Sequence, residues 1–250
     1  MRTSGLEGRV AIVTGAAQGV GKCIADFLAR DGVRVIAADI QGEKVREVAR
    51  ELSASGQEVE SVVVDIADPL SAERMVAATV ERFGHVDILV NNAGIDAPPG
   101  FATELTKEDW QQVVDVDLSG AWWCTKAVLP HMLASRWGRI IFISSMSWRI
   151  GSRDISVAYN TAKAGLIGLT IGLSVQLEEY GILVNAITPG PTGTGRGLVT
   201  SPQNVATRRA SPLGIGGPEP IAHACLYLVG ESGDWISGSV LNVSGGWLRG

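Results

Sequence analysis

Apolar residues in this chain come in short, nearly unbroken runs, separated by longer stretches where they recur every three or four positions. The runs at 9–15 (RVAIVTG), 33–39 (VRVIAAD), 58–66 (EVESVVVDI) and 87–94 (DILVNNAG) are rich in Val and Ile. So are those at 139–145 (RIIFISS), 182–190 (ILVNAITPG) and 240–246 (VLNVSGG). Continuous apolarity of this kind predicts strands buried on both faces, as in a parallel sheet. Between them, amphipathic stretches predict helices over about 19–31, 42–55, 69–83, 106–136, 157–180 and 218–231. The third opens on DPLSAERM, with Asp68 as candidate N-cap and Pro69 at the first helical position.

Strand–helix alternation along the chain predicts an α/β fold. It is a doubly wound parallel sheet of about seven strands, with helices on both faces and right-handed crossovers. No linker, repeat or low-complexity segment interrupts the alternation, so residues 1–250 are expected to form one domain. The exception in texture is 191–217, dense in Gly, Pro, Ser and Thr and placed after the end of a strand. Ligands of such sheets bind outside the carboxyl ends of strands. The segment therefore reads as a substrate loop or lid, with a plain surface loop as the alternative.

Composition narrows the function more than the fold. With 46% hydrophobic and 19% charged residues the chain has ordinary globular composition. Acidic residues outnumber basic ones, 26 to 21, for a net charge of −5, and no Lys/Arg cluster stands out. Neither nucleic acid nor an anionic membrane is the expected partner. The cysteines, Cys23, Cys124 and Cys225, are odd in number and widely spaced, which argues for a reducing compartment. His85, His131 and His223 lack ligand spacing, so no metal site is expected. No signal peptide is visible at the N-terminus, and no apolar run approaches the roughly 20 residues of a membrane span. A cytoplasmic protein is the expectation.

The stretch VTGAAQGVGKCIA (13–25) follows the first strand and opens the first helix. Gly15, Gly19 and Gly21 let the backbone turn tightly and approach a pyrophosphate at the helix N-terminus. Asp39 ends the second strand, 24 residues beyond Gly15. A carboxylate there accepts both hydroxyls of an adenosine ribose and repels the 2′-phosphate of NADP, so the expected cofactor is NAD. In AYNTAKAG (158–165), Tyr159 and Lys163 stand four apart, on one helix face, which places an ammonium beside a phenol.

Taken in order, these residues resemble those of the short-chain dehydrogenase/reductase family. The cofactor turn TGxxxGxG is Thr14–Gly21, the pair Asp65-Ile66 matches the one that holds the adenine ring, and NNAG is Asn91–Gly94. The serine strand is FISS at 142–145, YxxxK is Tyr159–Lys163, and a PG followed by threonines is Pro189–Thr194. The resemblance covers nearly the whole chain and implies a Rossmann fold, hydride transfer and often a homotetramer. It implies that NAD is held by Gly15, Gln18, Gly19, Val20 and Gly21 at the turn, and by Asp39, Ile40, Asp65 and Ile66 around the adenosine. The nicotinamide end falls to Asn92, Ala93, Gly94, Tyr159, Lys163, Pro189, Gly190, Thr192 and Thr194.

On the same resemblance Tyr159 is the general acid/base. An unperturbed tyrosine, with pKa near 10, is a poor base at pH 7. An adjacent ammonium favours the phenolate, as does the positive nicotinamide of the oxidised cofactor. Lys163 also hydrogen-bonds the nicotinamide ribose. Ser145 is the substrate-oxygen donor, because Ser144 points to the other side of its strand. Ser147 and Trp148 follow, where the family has a pocket wall; with Ile95 and the 191–217 loop they suggest an apolar slot for an aromatic or cyclic alcohol or ketone. Arg149 and Arg153 leave room for an anionic or sugar-like substrate, and a weakly catalytic, cofactor-binding regulatory protein is a further alternative.

Two features depart from the family pattern. In VDVDLSG (114–120), Asp117 stands where the family has an asparagine that anchors a proton-relay water behind the lysine. Either Asp117 is charged and alters that relay, or it replaces the amide sterically. Ser244 stands where the family often has Asp, and is expected to be neutral in effect. The helices at 106–136 and 157–180 match those that form a four-helix dimer interface in the family; Gly165, Gly168 and Gly172 on the second would allow close approach.

Overall fold

The first apolar run forms β1 (Val10–Thr14), every residue of which is buried. The computed structural model describes residues 4–98, 101–151, 155–193 and 212–249. After β1 come α1 (Gly19–Arg30), β2 (Arg34–Asp39), α2 (Gly42–Ala54), β3 (Val59–Val63), α3 (Pro69–Phe83) and β4 (Ile88–Asn91). The second half contributes α4 (Lys107–Val114), α5 (Ala121–Ser135), β5 (Gly138–Ile143), α6 (Ser147–Ile150) and α7 (Val157–Leu177). It closes with β6 (Ile182–Pro189), α8 (Glu219–Val229) and β7 (Val240–Val243). The seven strands form one sheet in the order β3-β2-β1-β4-β5-β6-β7, and every pairing is parallel.

Although the central strands β1, β4 and β5 are buried throughout, their side chains still divide with period two. Ala11 and Val13 of β1 and Ile141 and Ile143 of β5 pack with Ile24, Leu28, Val45, Leu52, Ile221 and Leu228 of α1, α2 and α8. Ile12, Ile140 and Phe142 face the other way, onto Met75, Val128, Met132 and Leu166 of α3, α5 and α7. A sheet covered on both faces needs apolar residues at consecutive positions. That is why the strand signal is a run rather than an alternation.

The strand order reverses between β1 and β4, which part to opposite sides of the sheet. Crevices at such switch points, outside the carboxyl ends of the strands, are where these folds bind ligands. Gly15, Asp39, Asn92, Ser144 and Gly190 all follow or end strands at this edge.

Helix starts obey local chemistry. Asp68 caps α3, accepting from the Leu70 N–H at 3.0 Å, with Pro69 in the first turn as expected. Thr106 caps α4 and Ser156 caps α7 in the same way. By contrast α1 has Gln18 at its N-cap position, and Gln18 makes no side-chain cap.

The helix expected over 106–136 is in fact three pieces. Asp115–Gly120 form a single π-helical segment between α4 and α5. Such bulges are rare and re-aim side chains; here Asp117 is turned to complete burial. The sequence shows no Pro or Gly at the start of this segment to mark it. The strands also end earlier than their apolar runs, β4 at Asn91 and β7 at Val243, because the chain leaves the sheet at this edge to build the crevice.

Residues 194–211, most of the expected substrate loop, lie outside the described residues, as do Arg153 and Thr194. The described residues flanking it are held in place: the Gly193 N–H donates to the Gly216 carbonyl at 2.9 Å, and the Leu213 N–H donates to the Gly245 carbonyl, after β7, at 3.1 Å.

Candidate active site

At the end of β1 the chain turns through Gly15, whose φ is +66°. A Cβ there would lie 2.8 Å from the Ala93 Cα, so the turn sits against the segment after β4. Thr14 and Asn92 staple the two strand ends. Thr14 Oγ1 accepts from the Asn92 and Ala93 N–H groups at 3.0 and 3.1 Å. Asn92 Nδ2 donates to the carbonyls of Thr14 and Gly15 at 2.9 and 3.1 Å. Thr14 is a structural member of the site that motif spacing includes but that no chemical argument along the chain singles out.

Asp39, 7% exposed, is held at the end of β2 by two backbone donors. The Ala17 N–H reaches Oδ2 at 3.0 Å and the Gln41 N–H reaches Oδ1 at 2.9 Å. The carboxylate thus leans toward the Gly15–Gly21 turn. Gln18 and Ile40 are exposed beside it, and Gly19 and Val20 are half-buried. Asp65 is exposed, its Oδ1 accepting from the Ala67 N–H. Ile66, expected at an adenine ring, instead turns its side chain into the core against Gly120, leaving only its backbone to offer a ligand.

These features fit a dinucleotide. A glycine turn with no room for side chains leads into a helix N-terminus free of a side-chain cap, and such termini attract phosphates. The fixed Asp39 carboxylate stands at the adjacent strand end, where a ribose hydroxyl pair is recognised.

On the other side of the crevice, Lys163 is 3% exposed on α7. Its Nζ lies 3.1 Å from Asp117 Oδ2 and donates to the Ile143 carbonyl at 3.3 Å. The same Nζ stands 5.3 Å from the ring centroid of Tyr159, as the four-residue spacing requires. Asp117 Oδ1 accepts from the Ile95 N–H at 2.7 Å. One carboxylate oxygen thus accepts from a backbone amide, and the other faces the Lys163 ammonium. Gly94 lies directly beneath: a Cβ there would come 2.8 Å from Asp117 Oδ2 and 3.0 Å from Lys163 Nζ.

The Tyr159 ring is half-buried against Ala97, Val113, Ala158 and Ala162. Ser144 and Ser145 diverge as strand alternation demands. Ser144 is buried and donates to the Lys163 carbonyl at 2.8 Å, while Ser145 is half-buried and its Oγ accepts from the Ser147 N–H at 3.2 Å. The turn after β5 is pinned to β6 by the Met146 N–H, which donates to the Pro189 carbonyl, and Gly190 packs on Ser244.

The expected pocket wall needs correction at one residue. Ser147 is 3% exposed and presents no face to a substrate; the first turn of α6 carries it inward. Trp148 is half-buried, packing partly on the core beneath α3, α5 and α7. Arg149 is exposed on α6. Thr192 is half-buried, paired with Gly216. Ser244 has a local duty in place of a carboxylate: its Oγ accepts from the Leu248 N–H at 3.0 Å and holds the C-terminal turn.

Cysteine chemistry is not on offer. All three thiols are free, and burial pushes Cys124 and Cys225 up to about 12 and Cys23 up to about 11. The thiolate is the nucleophilic form. Among the described residues no group of three or more His, Cys, Asp or Glu side chains could hold a metal ion. The crevice can therefore bind a dinucleotide along one wall and exchange a proton at a phenol on the other.

The family model described as short chain dehydrogenase matches residues 9–203. Over 97% of both chains, the sequence is 38% identical to the (2S)-[(R)-hydroxy(phenyl)methyl]succinyl-CoA dehydrogenase subunit BbsD of Thauera aromatica. Among solved structures it is similar to a Beutenbergia cavernae protein named as an NAD(P)-dependent gluconate 5-dehydrogenase, which carries NADP at low occupancy. That match has a TM-score of 0.92 at 35% identity, over 98% of this chain and 99% of that one. It is also similar to the 3-ketoacyl-(acyl-carrier-protein) reductase of Brucella melitensis in complex with NADH. Here the TM-score is 0.89 at 28% identity, over 97% of this chain and 99% of that one.

The enclosed Asp117–Lys163 pair has a consequence for stability. Removing one partner of a buried pair strands a charge and costs about 3–5 kcal/mol. Asp117→Ala is expected to lose that much in chemical denaturation. Asp117→Asn, which still accepts from the Ile95 N–H, is expected to lose clearly less. Equal, small losses would show that the pair contributes little to the folded state.

Proposed function

The chain belongs to the short-chain dehydrogenase/reductase family, and from that premise we propose that it interconverts a secondary alcohol and a ketone with NAD(H). The observation that carries this reading is the half-buried Tyr159 ring with the Lys163 Nζ 5.3 Å from its centroid, across the crevice from the glycine turn that follows β1.

When bound, the nicotinamide supplies or takes up the hydride. The residues that would hold the cofactor are the Gly15–Gly21 turn at its pyrophosphate, Asp39 at the adenosine ribose, and Asp65 with the Ile66 backbone at the adenine. Asn92–Gly94, Pro189, Gly190 and Thr192 would flank the nicotinamide. In the reducing direction, Tyr159 gives its hydroxyl proton to the substrate oxygen; in the oxidising direction it takes that proton back. The Lys163 ammonium favours the phenolate that results. Ser145 Oγ accepts from the Ser147 N–H, which leaves its own proton available to donate to the substrate oxygen.

Asp39 supports NAD over NADP, since a 2′-phosphate would meet a carboxylate already fixed by two amides. No basic residue stands at Ala16, Ala17 or Gln18 to offset it. For the substrate, Ile95 and the exposed part of Trp148 support an apolar or ring-bearing alcohol, and the hydroxy(phenyl)methyl substrate named for the Thauera aromatica relative is of that kind. Arg149 at the rim fits an anionic group on the same molecule. The test is a panel of ketones and secondary alcohols, followed at the reduced-nicotinamide absorbance with each cofactor. Turnover with NAD(H) is expected to exceed that with NADP(H). Tyr159→Phe is expected to lose about 10²–10⁴ in kcat, the worth of a general acid/base, while still binding NADH. Equal efficiency with NADPH would sink the NAD assignment, and a fully active phenylalanine variant the role of Tyr159.

Asp117 leaves a signature on pH dependence. Its carboxylate partly cancels the field of the Lys163 ammonium, so the phenolate needed for oxidation forms at higher pH than with a neutral residue there. In Asp117→Asn the rising limb of the kcat/KM profile for alcohol oxidation at saturating NAD, and with it the alkaline optimum, should move to lower pH. A limb that stays put, or moves upward, refutes a charged Asp117 in the relay.

The cytoplasm is the proposed compartment, in keeping with three free thiols; among the described residues no helix is long and apolar enough to cross a membrane. A homotetramer, or at least a homodimer through α7, is the proposed assembly. Val157, Ile171 and Val175 are 49%, 53% and 72% exposed along one side of α7. Gly168 and Gly172 lie among them, and a Cβ at either position would meet nothing within 4 Å, so the chain's own packing does not require them. Gly165 differs: it is needed internally, against Leu118. A monomeric mass by light scattering would overturn this assembly.

A further inference from the structure

The segment after β4 reaches both the Asp117–Lys163 pair and the start of the Tyr159 helix. Gly94 lies under the Asp117–Lys163 pair, and the Ile95 N–H is bound by Asp117. The next residue, Asp96, is exposed, yet it reaches across to the catalytic helix. Ser156, 8% exposed, donates its Oγ proton to Asp96 Oδ1 at 2.7 Å and accepts from the Tyr159 N–H at 3.1 Å.

We propose that Asp96 is a positioning residue, fixing the first turn of α7, and with it Tyr159, by holding the Ser156 hydroxyl in its capping orientation. The inference rests on the reading of Tyr159 as general acid/base. Tyr159 is the third residue of α7, and its N–H is one of the four at a helix start that lack an intrahelical carbonyl. Lys163 sits a turn further on, tied by its own carbonyl to Ser144. Tyr159 is therefore the member of the pair in the turn most prone to fray.

A serine hydroxyl has a single proton and can rotate. Directing that proton at a carboxylate, in a charge-assisted bond, leaves a lone pair aimed at the helix amide. It also places a negative charge near the positive end of the helix. With Asp96 removed, Ser156 retains the geometry of a cap but loses the partner that sets its rotor. Because Asp96 directly follows the residue held by Asp117, one short strap sets both Lys163's partner and Tyr159's turn from outside the helix.

The experiment compares D96A, D96N, S156A and the D96A/S156A double variant, each for kcat and KM on the best substrate, for NADH affinity by fluorescence, and for amide hydrogen exchange at the start of α7. D96A is expected to lower kcat by about 10- to 100-fold, the scale of a misplacement near 1 Å, with NADH affinity unchanged and faster exchange at residues 157–160. D96N, whose Oδ1 still accepts from Ser156, should recover most of that loss, and the double variant should be no worse than the worse single one. A D96A variant with unaltered kcat and exchange overturns the proposal, as does a D96N variant impaired as fully as D96A. Effects of D96A and S156A that simply add also overturn it. If the unmodified protein turns over nothing in the panel, the proposed reaction fails first; hydrogen exchange in D96A and D96N then decides the capping role by itself.

Discussion

An ammonium enclosed at 3% exposure can persist in a folded chain only if acceptors are brought to it before water is lost, and that requirement organises the centre of this protein. Lys163 meets the Asp117 carboxylate at 3.1 Å and the Ile143 carbonyl at 3.3 Å. These partners lie on different elements: the π-helical segment between α4 and α5, and the end of β5. Asp117 in turn is held through the Ile95 N–H by the segment after β4. Leaving either charge alone would be costly, so the helix, the π segment and two strand ends must arrive together.

That convergence happens at one edge of the sheet because the sheet is parallel. All strands end on the same side, and the order reverses between β1 and β4, so two loops part and leave a crevice. The staple of Thr14 with Asn92 and Ala93 keeps the parting fixed. Asp39 marks one limit of the crevice and the Tyr159 face of α7 the other. The candidate site's residues are thus spread from 14 to 192 in sequence and gathered by topology.

The opposite edge carries a different kind of interaction. There the Trp137 ring lies between two guanidiniums, Arg9 at 3.7 Å and Arg139 at 4.3 Å from the ring centre. Burial pulls Arg139 below its ordinary pKa, while its hydrogen bond to Asp234 opposes that shift. Asp87 accepts from the Val10 N–H and from Arg9 at the starts of β4 and β1. These contacts close the amino ends of the strands and tie the 230–239 segment to them. Polar networks at that edge hold the sheet, whereas those at the carboxyl edge leave donors and charges facing a crevice.

Local preferences written in the sequence determined most of the elements, their order and most of the candidate site's membership. Val- and Ile-rich runs locate all seven strands, and Asp68-Pro69 starts α3. The glycine turn, Asp39 and the Tyr159–Lys163 pair are legible because each depends on neighbours along the chain. What tertiary structure decided depends on approach between distant segments. The π segment that breaks the expected 106–136 helix, the pairing of Asp117 with Lys163, the inward turn of Ile66 and Ser147, and the reach of Asp96 to Ser156 are of this kind. Periodicity reports whether a position is buried, not which charge or donor it will meet there. That partner exists only once the strand ends and helices have closed on one another, so no reading along the chain could supply it.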